Sequence, residues 1–248
     1  MKRDDLGRLV GRLRVRLETD RRFGVDRVPR FTLPDGPETG GASAPAGEDV
    51  SGGGADALSR LAAEVASCRD CVLSETRQNA VFGEGHPHAD LMFVGEAPGA
   101  EEDRQGKPFV GRAGALLTKI IHAMGLTRGE VYIGNILKCR PPNNRDPSSS
   151  EVEACRPHLV KQIELIDPQV LVALGGHALR GLMGPGFRGG ITAHRGTFKD
   201  CFGRRLMPTF HPAYLLRNEG EKRKVWEDMK KVLEALGRTP PPRRISRS

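Results

Sequence analysis

Four short apolar runs punctuate the chain between positions 91 and 210, and each one stops at a loop of unusual composition. Leu91–Val94 runs into Gly95-Glu96-Ala97-Pro98-Gly99, and Val131–Leu137 into Lys138-Cys139-Arg140-Pro141-Pro142. Val170–Leu174 meets Gly175-Gly176-His177, and Leu206–Phe210 meets His211-Pro212-Ala213-Tyr214-Leu215-Leu216-Arg217. Largely apolar runs of this length, bounded by turn residues, read as strands buried on both faces. Helical periodicity fills the gaps. Leu116, Leu117, Ile120, Ile121 and Met124 share one face of a helix over 113–124 that Gly125 stops; Pro147-Ser148 opens another through Ile166; a third covers 221–236. The alternation predicts an α/β fold, a three-layer αβα sandwich around a central, mainly parallel four-stranded sheet. In such a sheet all four loops gather at one edge, where open α/β sheets bind their ligands.

The flanks are different. Leu6, Leu9, Val10, Leu13 and Leu17 recur at helical spacing with arginines between them, which predicts an amphipathic helix over 5–20 within an extension ending near residue 33. Residues 34–54 are rich in Gly, Ala, Pro and Ser and read as a flexible linker. The ordered domain is expected over 55–237, opening with a helix over 55–66, and the tail 238–248, with four arginines and no acid, is expected to be disordered. No stretch approaches the roughly 20 apolar residues of a membrane span, and the amino terminus lacks a signal-peptide pattern. The expectation is a cytoplasmic monomer, whose amino-terminal helix is expected to pack on the domain or self-associate in preference to its alternative role of binding a protein partner.

The chain of 248 residues carries a formal net charge of +8. The first fifty residues are close to balanced, so the excess lies downstream and favours a polyanionic partner. Five cysteines, an odd count, argue against a disulfide framework and for metal ligation. Cys68 and Cys71 form a C-x2-C pair, Cys139 ends a strand and Cys155 lies on the next helix. Four thiolates suit tetrahedral zinc or an iron–sulfur cluster, and their spacing does not separate the two. Cys201 has no partner at matching spacing and reads as an ordinary thiol. After Gly99 come three acids, Glu101, Glu102 and Asp103, and then Phe109 between Pro108 and Val110: the makings of a small pocket, or of a plain surface turn.

Taken in order, these motifs resemble the family-4 uracil-DNA glycosylases, the iron–sulfur branch of their superfamily. The match spans about 55–236. It rests on Gly95-Glu96-Ala97-Pro98-Gly99, Gly106-Lys107-Pro108-Phe109-Val110-Gly111, Asn135 ahead of Lys138-Cys139-Arg140-Pro141-Pro142, and the His211–Arg217 segment, with the four cysteines interleaved. The resemblance implies a DNA-repair enzyme that flips uracil out of single- or double-stranded DNA and hydrolyses its N-glycosidic bond. It implies a [4Fe-4S] cluster on Cys68, Cys71, Cys139 and Cys155. Gly95, Glu96 and Ala97 then line the pocket, Phe109 stacks on the base, Asn135 pairs with the uracil edge, and His211 donates to the O2 of the departing anion. Better-known uracil glycosylases carry Asp where this chain has Ala97, so Glu96 and Glu102 become the candidates for orienting water, with Asp103 regarded as a solvated neighbour. Arg140, Arg145 and Arg217 are expected on phosphates, and Leu215 or Leu216 as a wedge in the gap left by the base. His177 is expected to be structural. A covalently trapping relative has a Lys-Arg-Arg-Ile-His loop where this chain has Pro141–Asp146, so turnover is expected.

Two other readings compete. A non-catalytic iron–sulfur or zinc DNA-binding module accounts for the charge and the cysteines, but not for Phe109, Asn135 and His211 each falling in a strand-end loop. A nucleotide hydrolase cradling phosphate on Gly95–Gly99 is disfavoured by the acids of that loop and its lack of Lys-Ser/Thr.

Overall fold

The structure, a computed structural model, describes residues 52–242. The predicted helix over 5–20, most of the predicted linker and the tail from 243 onward lie outside the described residues. In chain order the elements are α1 (Gly52–Ser67), α2 (Leu73–Thr76), β1 (Glu84–Gly85), β2 (Leu91–Gly95), α3 (Ala100–Gln105), α4 (Arg112–Ala123) and β3 (Tyr132–Asn135). A 3₁₀ turn (Pro142–Asn144) precedes α5 (Ser149–Ile166), β4 (Val170–Leu174), α6 (Gly176–Met183), α7 (Ile191–His194), β5 (Lys199–Cys201), β6 (Arg204–Thr209), α8 (Pro212–Leu215) and α9 (Lys222–Ala235), with a second 3₁₀ turn at Glu219–Glu221.

The sheet has six strands in the order β1-β3-β2-β4-β6-β5. The inner four, β3-β2-β4-β6, are parallel, as the apolar runs predict. Two short strands extend them: β1 pairs antiparallel with β3, and β5 with β6. Neither edge strand shows in the hydrophobic pattern, because at two and three residues they are too short to carry a period. Within the inner strands, alternate residues serve opposite faces. Leu91, Phe93, Val170, Val172 and Met207 pack with Leu117 and Ile121 of α4 and Met229 and Val232 of α9. Met92, Val94, Leu171, Ala173 and Leu206 pack with Leu159 and Ile163 of α5 and Leu179 and Leu182 of α6. That is the three-layer sandwich.

Two boundaries move. The first helix begins at Gly52 rather than at residue 55, so it takes in the end of the predicted linker. The tail does not leave the fold at residue 238: Arg238 lies 3.9 Å from the Asp90 carboxylate, and Pro241 stands close enough to Gly125 that a Cβ there would meet it at 3.3 Å. Entry to α5 follows the expected chemistry. Ser148 Oγ accepts from Glu151 N and the Glu151 carboxylate accepts from Ser148 N, a reciprocal cap.

The sheet order sets the geography of the site. From β2 the chain moves outward to β3, and β4 then returns to the other side of β2. Connections leave β2 and β4 in opposite directions, which opens a crevice at their carboxyl ends.

Candidate active site

At that edge four strand ends and their loops stand side by side: Asn135 ending β3, Gly95 ending β2 with Glu96 after it, Gly175–His177 after β4, and His211 after β6. Main-chain bonds lock the first two together, Ile136 N donating to Gly95 O at 3.0 Å and Leu137 N to Glu96 O at 2.9 Å. Gly95 is required here by space. A Cβ at this position would lie 2.3 Å from Asn135 Oδ1 and 2.6 Å from Phe109 Cζ. The missing side chain therefore lets the amide and the ring converge on one point.

Asn135 is buried, and its Oδ1 has no hydrogen-bond partner. An orphaned buried acceptor costs about 1–3 kcal/mol, and a ligand N–H is the natural way to recover it. The backbone of Asn135 is supported from below. Lys138 Nζ, fully buried, donates to Asn135 O at 2.8 Å and to Gln162 Oε1, and Gln162 Nε2 in turn donates to Tyr132 Oη and Phe82 O. Burial brings the Lys138 ammonium down to about 8.

Phe109 is held in the left-handed region, at φ +52°, a strained conformation for a bulky residue. Three groups enforce it. Glu102 Oε1 accepts from Val110 N and Gly111 N, each at 3.0 Å, while its Oε2 accepts from Gly99 N at 3.1 Å. From the other side Arg128 donates to Pro108 O at 2.8 Å and Phe109 O at 3.2 Å. Gly114 of α4 lets the helix approach, since a Cβ there would sit 1.8 Å from Phe109 O. Arg128 carried no sequence signal: a lone arginine in a turn takes its meaning from the carbonyls it reaches.

His211 opens α8, with Pro212 at the first helical position. Its Nδ1 accepts from Ala213 N at 3.1 Å, which leaves the proton of the neutral ring on Nε2. Desolvation by burial lowers its pKa, against the opposing pull of Glu96 and Glu102. The ring stands 5.7 Å from that of Phe109, centroid to centroid. Behind it, the Thr209 hydroxyl donates to buried Asp228, which also holds Arg195, so β6 and α9 are pinned just ahead of the histidine.

Several expectations are corrected. Glu102 takes a structural part that the sequence does not show, since both its oxygens accept from backbone N–H groups. Asp103 is not solvated: it is buried, and its Oδ1 accepts from Gln78 N and Asn79 N. The Ala97 methyl packs against the group of Leu73, Leu137, Cys139 and Cys155, so a carboxylate there would face the cysteines. Leu215 is only 1% exposed and belongs to the core, which leaves Leu216, at 38%, as the exposed leucine. Arg145 is engaged by the buried Glu151 carboxylate, with Nη1 donating to Oε2 at 2.9 Å, and it holds that carboxyl down to about 2. Arg140 donates to Asn144 Oδ1, and Arg217 is exposed. His177 is brought to the site itself, beside Glu96.

Cys68, Cys71, Cys139 and Cys155 line one cavity together with Arg77, Lys138 and His158. None is in a disulfide. Arg77 Nη1 donates to Cys139 Sγ at 2.9 Å and Lys138 N to Cys155 Sγ at 3.2 Å, the donors a thiolate needs. Burial pushes the Cys155 thiol up to about 11, so as a ligand it needs a cation to draw off its proton. Four thiols lining one cavity form a donor set that suits a metal ion or an inorganic cluster. Cys201 is buried elsewhere, its thiol against Leu182 O.

The profile of the uracil DNA glycosylase superfamily matches residues 82–230. The type-4 uracil-DNA glycosylase of Sulfurisphaera tokodaii is 46% identical over 72% of this chain and 84% of its own length. That of Thermotoga maritima is 48% identical over 68% of this chain and 88% of its own. A type-5 enzyme from Pyrobaculum aerophilum is 33% identical over 55% and 66% respectively.

Proposed function

The chain belongs to the uracil-DNA glycosylase superfamily, in its type-4 branch, and on that premise we propose that Asn135, Phe109, His211 and Glu96 recognise a flipped uracil nucleotide and hydrolyse it. The protein is a uracil-DNA repair glycosylase. The observation that carries the residue assignment is the orphaned Oδ1 of Asn135, buried where Gly95 and Phe109 converge.

Uracil supplies what that site lacks. Its N3–H donates to Asn135 Oδ1, and its O4 accepts from the Asn135 NH2. Cytosine presents an acceptor at N3 and a donor at C4, the reverse pattern, so an Asn135 amide held in this orientation rejects it. Phe109 offers its face to the extruded base. The bond between sugar C1′ and uracil N1 breaks with its electron pair leaving on the base, and the charge spreads to O2. His211, neutral with its proton on Nε2, donates to that oxygen without carrying charge of its own. Glu96 is the acid left at the crevice once Glu102 is committed to backbone. It orients the water whose oxygen adds to C1′ while the released proton neutralises the uracil anion. The products are free uracil and an abasic site.

In this reading Cys68, Cys71, Cys139 and Cys155 hold a [4Fe-4S] cluster. Its contribution is structural, tying α1, the end of β3 and α5 together beneath the loop that carries Arg140. Both single- and double-stranded DNA are substrates, met by Arg140 and Arg217 at the backbone. Among the described residues no helix is long and apolar enough to cross a membrane.

The test is direct. Purified protein is incubated with uracil-containing DNA in either form, then with alkali. Strand breaks at uracil are expected, and tight binding without breaks would return the protein to the class of binding modules.

A further inference from the structure

Glu96 and His177 face each other across the crevice between β2 and β4. His177 Nδ1 lies 3.3 Å from Glu96 Oε1, and its Nε2 lies 3.8 Å from Asp146 Oδ2. We propose that His177 is a positioning residue for the glycosylase reaction: its imidazolium holds the Glu96 carboxylate ionised and fixed at the pocket wall, while Asp146 seats the far side of the ring. The inference rests on the assignment of Glu96 made above.

The surroundings of His177 favour a cation here. Three charged groups face the ring: Glu96 from the loop after β2, Asp146 from the loop after β3, and Arg180 from its own helix. His177 lies at the start of α6, where the helix dipole and Arg180 both disfavour an imidazolium. The two carboxylates outweigh them. The hydrogen bond to Glu96 is the largest influence and burial opposes it, with the result that the pKa of His177 is raised above its ordinary 6.5.

The second consequence concerns His211. Glu96 stands close enough to pull the pKa of His211 upward. An unpaired Glu96 would favour a proton on His211 Nδ1, where it would lose the Ala213 N–H. Pairing Glu96 with the His177 cation opposes that pull and preserves the neutral donor. One ring thus serves both residues that act on the nucleotide: it fixes the acid and shields the histidine.

The signs follow. Below its raised pKa His177 is charged and the pair is intact; as pH rises through that value the pair is lost. The experiment is single-turnover cleavage of single-stranded uracil DNA from about pH 5 to about pH 9, using the full chain and the variants His177→Ala, His177→Asn and Glu96→Gln. Wild type is expected to slow on the alkaline side. His177→Ala is expected to be about tenfold slower near neutrality, with its acid limb displaced to higher pH and no alkaline decline. His177→Asn retains an N–H donor without a titrating charge, so it should recover part of the rate and also lack the alkaline decline. An alkaline decline that persists in both His177 variants, or profiles that superimpose on wild type, overturns the inference. If those profiles superimpose while Glu96→Gln is slow, the role of Glu96 survives and only that of His177 falls. A Glu96→Gln enzyme of wild-type rate overturns both.

Discussion

The Glu102 carboxylate accepts hydrogen bonds from the main-chain N–H groups of Val110 and Gly111, each at 3.0 Å, and so fixes the segment that carries Phe109. A carboxylate that reads in sequence as a catalytic candidate is a strut. Its third bond, from Gly99 N, ties the same strut to the turn after β2.

Replacing that strut has a distinct signature. In Glu102→Gln, one of the oxygens that accepts an N–H becomes an NH2 that confronts it. We expect a fall of about 10-fold to 100-fold in single-turnover cleavage, following the lost orientation of Phe109, together with a lower melting temperature. Asp103→Asn keeps the oxygen that accepts from Gln78 N and Asn79 N, and should cleave at close to the wild-type rate. Equal rates for the two variants would contradict the clamp.

Asn135→Asp should cost about 10²-fold or more in uracil excision. The change removes the NH2 that donates to O4 and places a carboxyl on the Lys138-supported backbone. Competition between uracil- and cytosine-containing oligonucleotides measures it. A variant that keeps wild-type discrimination would show that base reading lies elsewhere.

His211→Ala should lower the rate by about 10²–10³-fold. In wild type, nitrogen NMR of the ring should show a neutral imidazole protonated at Nε2 at neutral pH. Because burial depresses its pKa below 6.5, the ring takes up a proton only on further acidification. Stability linked to this group is therefore lost as pH falls below 6.5 toward the folded value. A ring that is already charged at neutral pH would exclude the neutral-donor mechanism.

The two leucines of α8 and its end should separate cleanly. Leu215→Ala should destabilise the fold by about 2–5 kcal/mol, seen in denaturant titration. Leu216→Ala should leave stability within about 0.5 kcal/mol and slow excision from duplex more than from single-stranded DNA, since only the duplex has a stack to hold open. The reverse assignment of effects would refute the exposure argument.

Iron analysis should find about four irons per chain, with absorbance near 400 nm. Cys155→Ser should lose both, with a lower melting temperature. Stoichiometric zinc in their place would overturn the cluster assignment.

Much of this protein was legible in one dimension. Four largely apolar runs declare four parallel inner strands, because strands buried on both faces lack the regular polar alternation of a half-exposed sheet. The glycine- and proline-rich stops place Asn135, Gly95, Gly175 and His211 at one edge, since parallel strands all end on the same side. The cysteines could be counted but not assigned, because whether four sulfurs surround one ion or a wider group depends on their separation in space. The two edge strands were silent for want of length. The roles of individual charges were decided by tertiary structure alone. Glu96, Glu102 and Asp103 lie within eight positions of each other and look alike in sequence, yet one faces His177, one clamps backbone beside Phe109, and one is buried against Asn79. Leu215 and Leu216 differ by one helical step of roughly 100°, enough to put one in the core and the other in solvent. Burial and partner set what a side chain does, and both belong to the folded chain.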